Sequence, residues 1–482
     1  MGSSINITNI DGTIITNEEL CNVGSQHAVI TWVTPQQRAD TSMHIGEAPT
    51  QLIKHTFAVN TEFHNAEMFD LQPSTRYWYQ VESNGVKGSL NSFKTLPRPE
   101  GKYLFSFAIL SDTHVNYGGS AKDVNELYFG KLAKDANTLL IQCILDSKKR
   151  NIDLAIISGD LTDTASQTQY LGLRNQILPY FGAIPYFLIP GNHDKYIKNS
   201  GLGEQGFLSY IANREKSYTS FVFKDYHFLL LDSCRQDADW GYIDPAQLQW
   251  LESMLTTNKG RPAFLFLHHP CNGPDLWFGV KNHKEFVKLT KAFPEIQGVF
   301  CGHIHRNHVT TNPLLTGKRP YVDIPATVQF PCAYSIVRVY ENGYEYSSYK
   351  VSRLDLSELS RERFILKNAG KAAFTWYSFG RIGDRSFSYS NGQLFRPRQY
   401  ELSVAVEATK AIELYKNARS IAGASLAPAF RLSKSKVILG RYDSMYLAAQ
   451  ALRQKYSRYL MNAWITEEGN YDMPEKQKLY ID

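Results

Sequence analysis

Tyr103-Leu104-Phe105-Ser106-Phe107-Ala108-Ile109-Leu110-Ser111-Asp112-Thr113-His114 is the stretch on which the reading of this chain turns. Its first eight residues form a short apolar run of the length of a buried strand, and the run stops on a carboxylate and an imidazole two residues apart. Open α/β sheets gather their ligands at that edge, outside the carboxyl ends of the strands. The pattern recurs downstream. Strands predicted at Leu154 to Ser158, Tyr186 to Ile189, Ala263 to Leu267 and Val299 to Cys301 lead into Gly159-Asp160-Leu161-Thr162-Asp163, Gly191-Asn192-His193-Asp194, His268-His269-Pro270 and Gly302-His303-Ile304-His305. Val124 to Ser147, Gln167 to Leu178, Asp244 to Leu255 and His283 to Phe293 read as helices between them, so residues 102–352 are expected to form an α/β domain. Ser220 to Asp232 and Ser335 to Lys350 read as hairpins, the second turning at Glu341-Asn342-Gly343, which adds an antiparallel component.

Outward from this core the composition changes. Residues 1–96 read as an all-β sandwich, with Ala28-Val29-Ile30-Thr31-Trp32-Val33-Thr34 and Thr75-Arg76-Tyr77-Trp78-Tyr79-Gln80-Val81 as strands. Leu71, Pro73, Thr75 and Tyr77 have the spacing that places a tyrosine hydroxyl where it can bond back to the chain at a sandwich corner. Thr95-Leu96-Pro97-Arg98-Pro99-Glu100-Gly101 reads as a linker. Residues 353–482 are expected to be mainly helical: Met445, Ala448, Ala449, Leu452, Tyr456, Tyr459 and Leu460 keep amphipathic spacing, and Leu402 to Lys416 reads as a second helix. This region holds 21 of the Lys and Arg and 13 of the Asp and Glu, against a formal charge of +6 for all 482 residues. The first 352 residues are therefore close to neutral, and the basic end reads as a solvated face.

The balance of 43% hydrophobic and 20% charged residues is that of a folded protein, with no apolar run long enough for a membrane span. No signal peptide is visible at the N-terminus, so the expected setting is cytoplasmic if Met1 is the native start and extracytoplasmic if a signal peptide was removed. Six scattered cysteines, Cys21, Cys143, Cys234, Cys271, Cys301 and Cys332, read as free thiols, which leans towards a cytoplasmic setting.

Six of the 13 histidines fall in the five clusters. Asp112, His114, Asp160, Asn192, His268, His303 and His305 make a ligand set of carboxylates, imidazoles and one amide carbonyl, without a thiolate. Such a set suits divalent iron, manganese or zinc and does not suit a structural cysteine zinc site. Seven ligands are too many for one ion. Two ions sharing a carboxylate would use them all, the arrangement that clamps the attacking and leaving oxygens in phosphoryl displacement.

The ordered motifs D-x-H, G-D-x-x-D, G-N-H-D, H-H-P and G-H-x-H resemble those of the calcineurin-like metallophosphoesterase superfamily, which implies a four-layer α/β/β/α domain over residues 102–352. The resemblance implies a first metal held by Asp112, His114 and His305, a second held by Asn192, His268 and His303, and Asp160 bridging them. It implies a hydroxide between the ions attacking phosphorus in line, with His193 as electrostatic stabiliser or general acid. The N-terminal sandwich resembles a fibronectin type III domain, in particular the one that precedes the catalytic domain of purple acid phosphatases. Those enzymes carry a tyrosine three residues after the bridging aspartate, where this chain has Asp163. A purple centre is thus not expected. In the protein serine/threonine phosphatases and several phosphodiesterases an aspartate stands there and pairs with the histidine of the G-N-H motif; the alternative for Asp163 is a helix N-cap.

The expected activity is metal-dependent phosphoester hydrolysis on a small molecule, with a phosphodiester favoured. The alternatives are an acid-phosphatase-like phosphomonoesterase, a nuclease, and a scaffold without catalysis. Nucleic acid is not favoured as a partner, because the first 352 residues lack a strong positive field. His269, Asn116, Tyr117, Asn272 and Trp277 are further candidates for the pocket, and His308 reads as a strand-end surface residue.

Overall fold

The aromatic run that ends at Asp112 forms β1 (Tyr103–Leu110), and the elements that build the site follow it in chain order. They are α1 (Ala136–Lys149), β2 (Leu154–Ser158), α2 (Gln167–Gly172), β3 (Tyr186–Ile189), β4 (Thr219–Phe223), β5 (Tyr226–Leu230), α3 (Pro245–Thr257), β6 (Ala263–Leu267), α4 (His283–Lys291), β7 (Ile296–Cys301), β8 (His308–Thr310), β9 (Tyr321–Asp323), β10 (Ala333–Tyr340) and β11 (Gly343–Lys350). The computed structural model describes residues 6–7, 14–118, 130–271, 278–311, 316–317, 319–367, 377–405, 436–455 and 463–467. The chain divides into two units, one of Pro99–Arg361 with Tyr389–Leu394, the other of Met1–Arg98, Glu362–Ser388 and Phe395–Asp482.

In the first unit, one sheet contains the strand order β3-β2-β1-β10-β11, with β1, β2 and β3 parallel and β10 and β11 antiparallel. The other has the order β4-β5-β6-β7-β9-β8, with β5, β6, β7 and β9 parallel. Register places the polar clusters side by side. Leu110 pairs with Ile157, Ser158 with Ile189 and Leu267 with Cys301, so every parallel strand releases its loop at the same level. The sheets face each other through phenylalanines: the Phe107 ring lies 5.3 Å from those of Phe228 and Phe264, and 6.0 Å from that of Phe266. Rings of this size fill the roughly 10 Å between packed sheets. Leu251 and Leu255 of α3 and Phe286 of α4 share a core with Leu229, Leu265 and Val299 of the second sheet.

The first helix begins at Ala136, later than the apolar pattern predicts. Gly130 has a left-handed backbone (φ 69°) and Leu132 N donates to Val328 O, so this stretch is a loop tied to the β9–β10 connection. The part of the prediction before Gly130 lies outside the described residues. All six cysteines are buried and free.

In the second unit, two β-sheets of the first 98 residues share a core with Trp32, Ile30, Met43, Tyr79, Val81 and Phe93. The corner tyrosine is made: Gln72 N donates to the Tyr77 hydroxyl at 2.9 Å. Beyond residue 353 the described residues mix helix, at Leu354–Lys367, Ile382–Arg385 and Met445–Lys455, with strand. Tyr400–Ala405, Lys436–Tyr442 and Ala463–Glu467 form an antiparallel sheet, covered by the helix Met445–Lys455 through Ala448 and Leu452. The helix expected at Leu402 to Lys416 is therefore strand up to Ala405, and the rest lies outside the described residues. Tyr400, Leu402 and Val404 alternate with polar or small residues, and two paired neighbours reward that period of two over the helical one. Tyr456, Tyr459 and Leu460 also lie outside the described residues. No helix among the described residues is long and apolar enough to cross a membrane.

Arg441 ties this small sheet to the sandwich. Its guanidinium donates to Glu18 O at 2.7 Å and to the Glu401 carboxylate at 3.2 Å, and its N–H donates to Asn91 Oδ1. Beside it the Glu18 carboxylate accepts from Asn91 Nδ2 in a site from which water is excluded. Burial pushes that carboxyl up from 4.5 to about 7, against the lowering pull of Arg441. The folded protein therefore holds more protons than the unfolded chain between about pH 4.5 and 7, so the Glu18 contribution to stability falls as pH rises through that window and is level above it. Glu18→Gln should remove this slope. Its thermal midpoint should match the parent below pH 4.5 and exceed it above pH 7, by at most about 3 kcal/mol in stability. Equal pH profiles in calorimetry would show that Glu18 ionises without cost.

Candidate metal centre

The loops that leave the strands carry their ligands on a strained backbone. Asp112 (φ 52°), His114 (43°), Asp160 (48°), His303 (73°) and His305 (49°) all lie in the left-handed region, which costs side-chain-bearing residues on the order of 1 kcal/mol or more each. Such strain persists only where the surroundings fix it. Asp112 N donates to Gly159 O, and Thr113 N and His114 N both donate to Asp160 O, so the first two loops hold each other. Glycine is required where they approach: a Cβ on Gly191 would sit 1.9 Å from Asp160 N, and one on Gly159, itself left-handed at φ 87°, 2.4 Å from His268 Nδ1.

Two buried groups of metal-ligating side chains result, Asp112 with His114 and His305, and Asp160 with His268 and His303. Asp112 Oδ1 lies 3.3 Å from His305 Nε2. Asp160 stands between the groups, Oδ2 at 3.5 Å from His114 Nε2 and Oδ1 at 3.3 Å from His268 Nε2. Asn192 Oδ1 is 3.1 Å from His268 Nε2. Remote ring nitrogens are held from behind, His268 Nδ1 by Ser158 O at 3.0 Å and His305 Nδ1 by Gln329 Oε1 at 2.8 Å. His114 Nε2 and His303 Nε2 are buried without a hydrogen-bond partner. Nitrogen lone pairs kept from water and unused by protein are what a divalent cation needs, so the donor set fits metal.

The electrostatics agree. Burial drives His114 down to about 4 and His303 to about 3, leaving both imidazoles neutral as ligands must be. Burial opposes ionisation of Asp112, but His305 beside it holds the carboxyl at about 2. Burial likewise opposes the charge on Asp160, and the surrounding imidazoles hold its carboxyl well below the usual range.

Asp163 is brought to the site but not as a helix cap. Ser166 caps α2, accepting from Gln169 N. The Asp163 carboxylate takes the Lys131 ammonium at 2.8 Å and faces His114 Nδ1 at 3.3 Å. His193 Nδ1 bonds at 2.6 Å to the carbonyl oxygen of Asp163, while the carboxylate is 3.9 Å away. The shorter contact to His193 is thus made by the main chain, with the carboxylate beside it at the outer edge of ion-pair distance. His114, Asp163 and His193 form a third group with metal-ligand geometry.

Several site residues escaped the sequence reading. Lys131 is buried on a loop with no motif, its ammonium also 3.1 Å from His114 Nδ1. Asp194 lies inside a recognised motif, yet nothing in the spacing announces that its carboxylate accepts from Leu161 N, Thr162 N, the Thr162 hydroxyl and Gly191 N. Tyr196 and Asp239 contact Asn192. His269 is buried, its Nδ1 at Ser233 Oγ and its ring 4.4 Å from that of His303, so it packs behind the second group. Asn116 bonds to Asn137 and Gln169, and His308 lies in β8. Tyr117 packs where a Gly172 side chain would be. Asn272 and Trp277 lie outside the described residues.

Comparison with known proteins adds a family to this geometry. Residues 105–307 match the family described as calcineurin-like phosphoesterase, and residues 19–95 the purple acid phosphatase N-terminal domain. The chain is 27% identical over 213 residues to a probable glycerophosphodiester phosphodiesterase GpdQ of Arcobacter nitrofigilis, covering 42% of this chain and 72% of that one. It is 26% identical over 248 residues to the glycerophosphodiester phosphodiesterase GpdQ of Enterobacter lignolyticus, covering 48% and 81%. A 3',5'-cyclic-nucleotide phosphodiesterase of Nostoc is 28% identical over 166 residues, covering 34% of this chain and 59% of that protein. The chain therefore carries a calcineurin-like phosphoesterase domain behind a purple acid phosphatase N-terminal domain, and is a metal-dependent phosphoester hydrolase with a binuclear divalent metal centre.

Proposed function

We propose that the chain hydrolyses a small phosphodiester, with Asp112, His114 and His305 holding one ion, Asn192, His268 and His303 the other, and Asp160 shared. The observation that carries this reading is the orientation of Asp160, whose two oxygens face two different ligand groups. The oxygen and nitrogen ligands favour iron, manganese or zinc. When bound, such ions supply Lewis acidity, acidifying a water nucleophile and offsetting charge on the phosphoryl oxygens. An α/β/β/α layering is supported by the aromatic contact between the sheets and the helices over the second sheet.

The chain's own residues supply orientation and the proton. His193 N–H donates to Asp160 Oδ1 at 2.9 Å, so the loop that carries His193 is registered on the shared carboxylate. Because its Nδ1 partner is a carbonyl oxygen, which only accepts, Nδ1 carries a hydrogen and the proton available to a leaving alkoxide sits on Nε2. The Asp163 carboxylate lies 3.9 Å from that Nδ1, its charge matched by Lys131.

Similarity to glycerophosphodiester and cyclic-nucleotide phosphodiesterases supports the diester. The purple acid phosphatase N-terminal domain favours a monoester as the second reading. Assays of aryl monoester, aryl diester, cyclic nucleotide and glycerophosphodiester with added manganese separate them. Higher kcat/KM on either natural diester supports the proposal, and preference for the monoester overturns it.

Asp160→Ala should lose activity and both ions, because one carboxylate serves both groups. Retention of two ions by elemental analysis, with normal turnover, would refute the shared role. His193→Ala should keep both ions and lose turnover by roughly a hundred- to ten-thousand-fold. The loss should shrink for a nitrophenolate leaving group, which needs no proton; equal losses on good and poor leaving groups would exclude proton donation. Loaded with iron, the protein should lack a visible charge-transfer band, since Asp163, paired with Lys131, stands where a purple centre has tyrosine.

A further inference from the structure

We infer that Tyr196 and Asp239 are positioning residues for Asn192: a one-way hydrogen-bond chain fixes its side-chain amide so that Oδ1 faces the site. This rests on the ligand role proposed for Asn192. The chain runs from Asn192 Nδ2 to the Tyr196 hydroxyl at 3.1 Å, and from that hydroxyl to Asp239 Oδ1 at 2.8 Å. Its direction is set from the far end. A carboxylate only accepts, so the Tyr196 hydroxyl must spend its single hydrogen on Asp239. The hydroxyl oxygen can then only accept from Asn192, which requires an N–H there. Asn192 Nδ2 also lies 3.4 Å from Asp239 Oδ1. A flipped amide would set its oxygen against a carboxylate oxygen and a hydroxyl with no hydrogen to give, two unpaired contacts at a buried side chain. Oδ1 is consequently left 3.1 Å from His268 Nε2, on the side of the second ligand group.

Both members are held in place. Tyr196 follows the short turn His193–Lys195 and is 8% exposed, its ring 4.7 Å from that of His193 and 3.7 Å from Lys198 Nζ. Asp239 is exposed on a loop pinned two residues later, where Gly241 N donates to Gly279 O and Lys281 N to Gly241 O. The arrangement matters because an amide oxygen is neutral and the weakest donor in the set. An ion held through it depends on orientation, and partners that orient a ligand are worth ten- to a hundredfold in metal affinity.

Stepwise affinities for manganese, measured by titration calorimetry of metal-free full-length protein, test the idea. Tyr196→Phe and Asp239→Ala should each weaken one of two binding steps by ten- to a hundredfold, the step that Asn192→Ala also weakens, and leave the other within about threefold. Asp239→Ala alters an exposed side chain, so it reads out the idea even where Tyr196→Phe disturbs folding. If Asn192→Ala weakens a step while both positioning variants bind like the parent, or if they weaken both steps equally, the inference fails and the ligand assignment stands. If Asn192→Ala binds both ions like the parent, the assignment itself fails and takes the inference with it.

Discussion

The Asp194 carboxylate is the interaction on which the site depends. It accepts from two successive backbone N–H groups of the Asp160 loop, from the Thr162 hydroxyl and from Gly191 N, and so ties the loop after β2 to the loop after β3. Without that tie the left-handed backbone of Asp160 has little reason to persist, because a peptide chain left to itself relaxes to the right-handed or extended regions. Burial and the neighbouring Asp160 carboxylate push the Asp194 carboxyl up to about 6, which is the electrostatic expense of placing a second carboxylate beside that of Asp160. Four hydrogen bonds offset it. The glycine at 191 belongs to the same constraint, since the loops meet with less than a methyl group between them.

Much of this was legible because each ligand follows a buried strand directly. A run such as Leu154 to Ser158, apolar up to its last residue and too short for a buried helix, reads as a strand in a sheet covered on both faces, and parallel register then carries the next few residues to a common edge. The partners behind the ligands were not legible, for a physical reason. Lys131, Tyr196, Asp239 and Gln329 reach the site from loops whose path is set by packing far away in the sequence, so their spacing from the motifs carries no period. Asp163 was legible as a site residue but not in all its contacts, because its carbonyl oxygen, a group every residue has, makes the shorter contact to His193, and Lys131 takes its carboxylate.

The basic C-terminal segments show the same limit from another side. Their positive surplus reads as a solvated face, yet Arg385 and Arg441 are buried, at 1% and 4% exposure. Arg385 gives its hydrogens to the carbonyl oxygens of Leu20, Cys21 and Gly380, and Arg441 reaches Glu18 O and the Glu401 carboxylate. A guanidinium has five fixed donors and can satisfy several carbonyls at once, so it can serve as an internal clamp where lysine could not. Composition counts charges but cannot say which are inside; the hydrogen bonds from these two arginines to carbonyl oxygens of the first β-rich segment show it.

Lys131 bears on what the site can attract. Asp163 would otherwise add a third carboxylate close to Asp112 and Asp160, and an ammonium 2.8 Å from it cancels that charge. The pair is buried, where two charges lose their hydration and lose most of what they gain from each other, so as a source of stability it is close to neutral. Its effect is on the field instead. With Asp163 matched by Lys131, its carboxylate adds little to the negative field that Asp112, Asp160 and Asp194 set up around the candidate ligand groups. Asp163 also faces His114 Nδ1, so the same carboxylate that Lys131 neutralises helps to orient the imidazole of a candidate ligand. A neutral residue at position 163 would keep the charge balance only if Lys131 were neutral as well, which makes the two positions a single electrostatic unit behind the first ligand group.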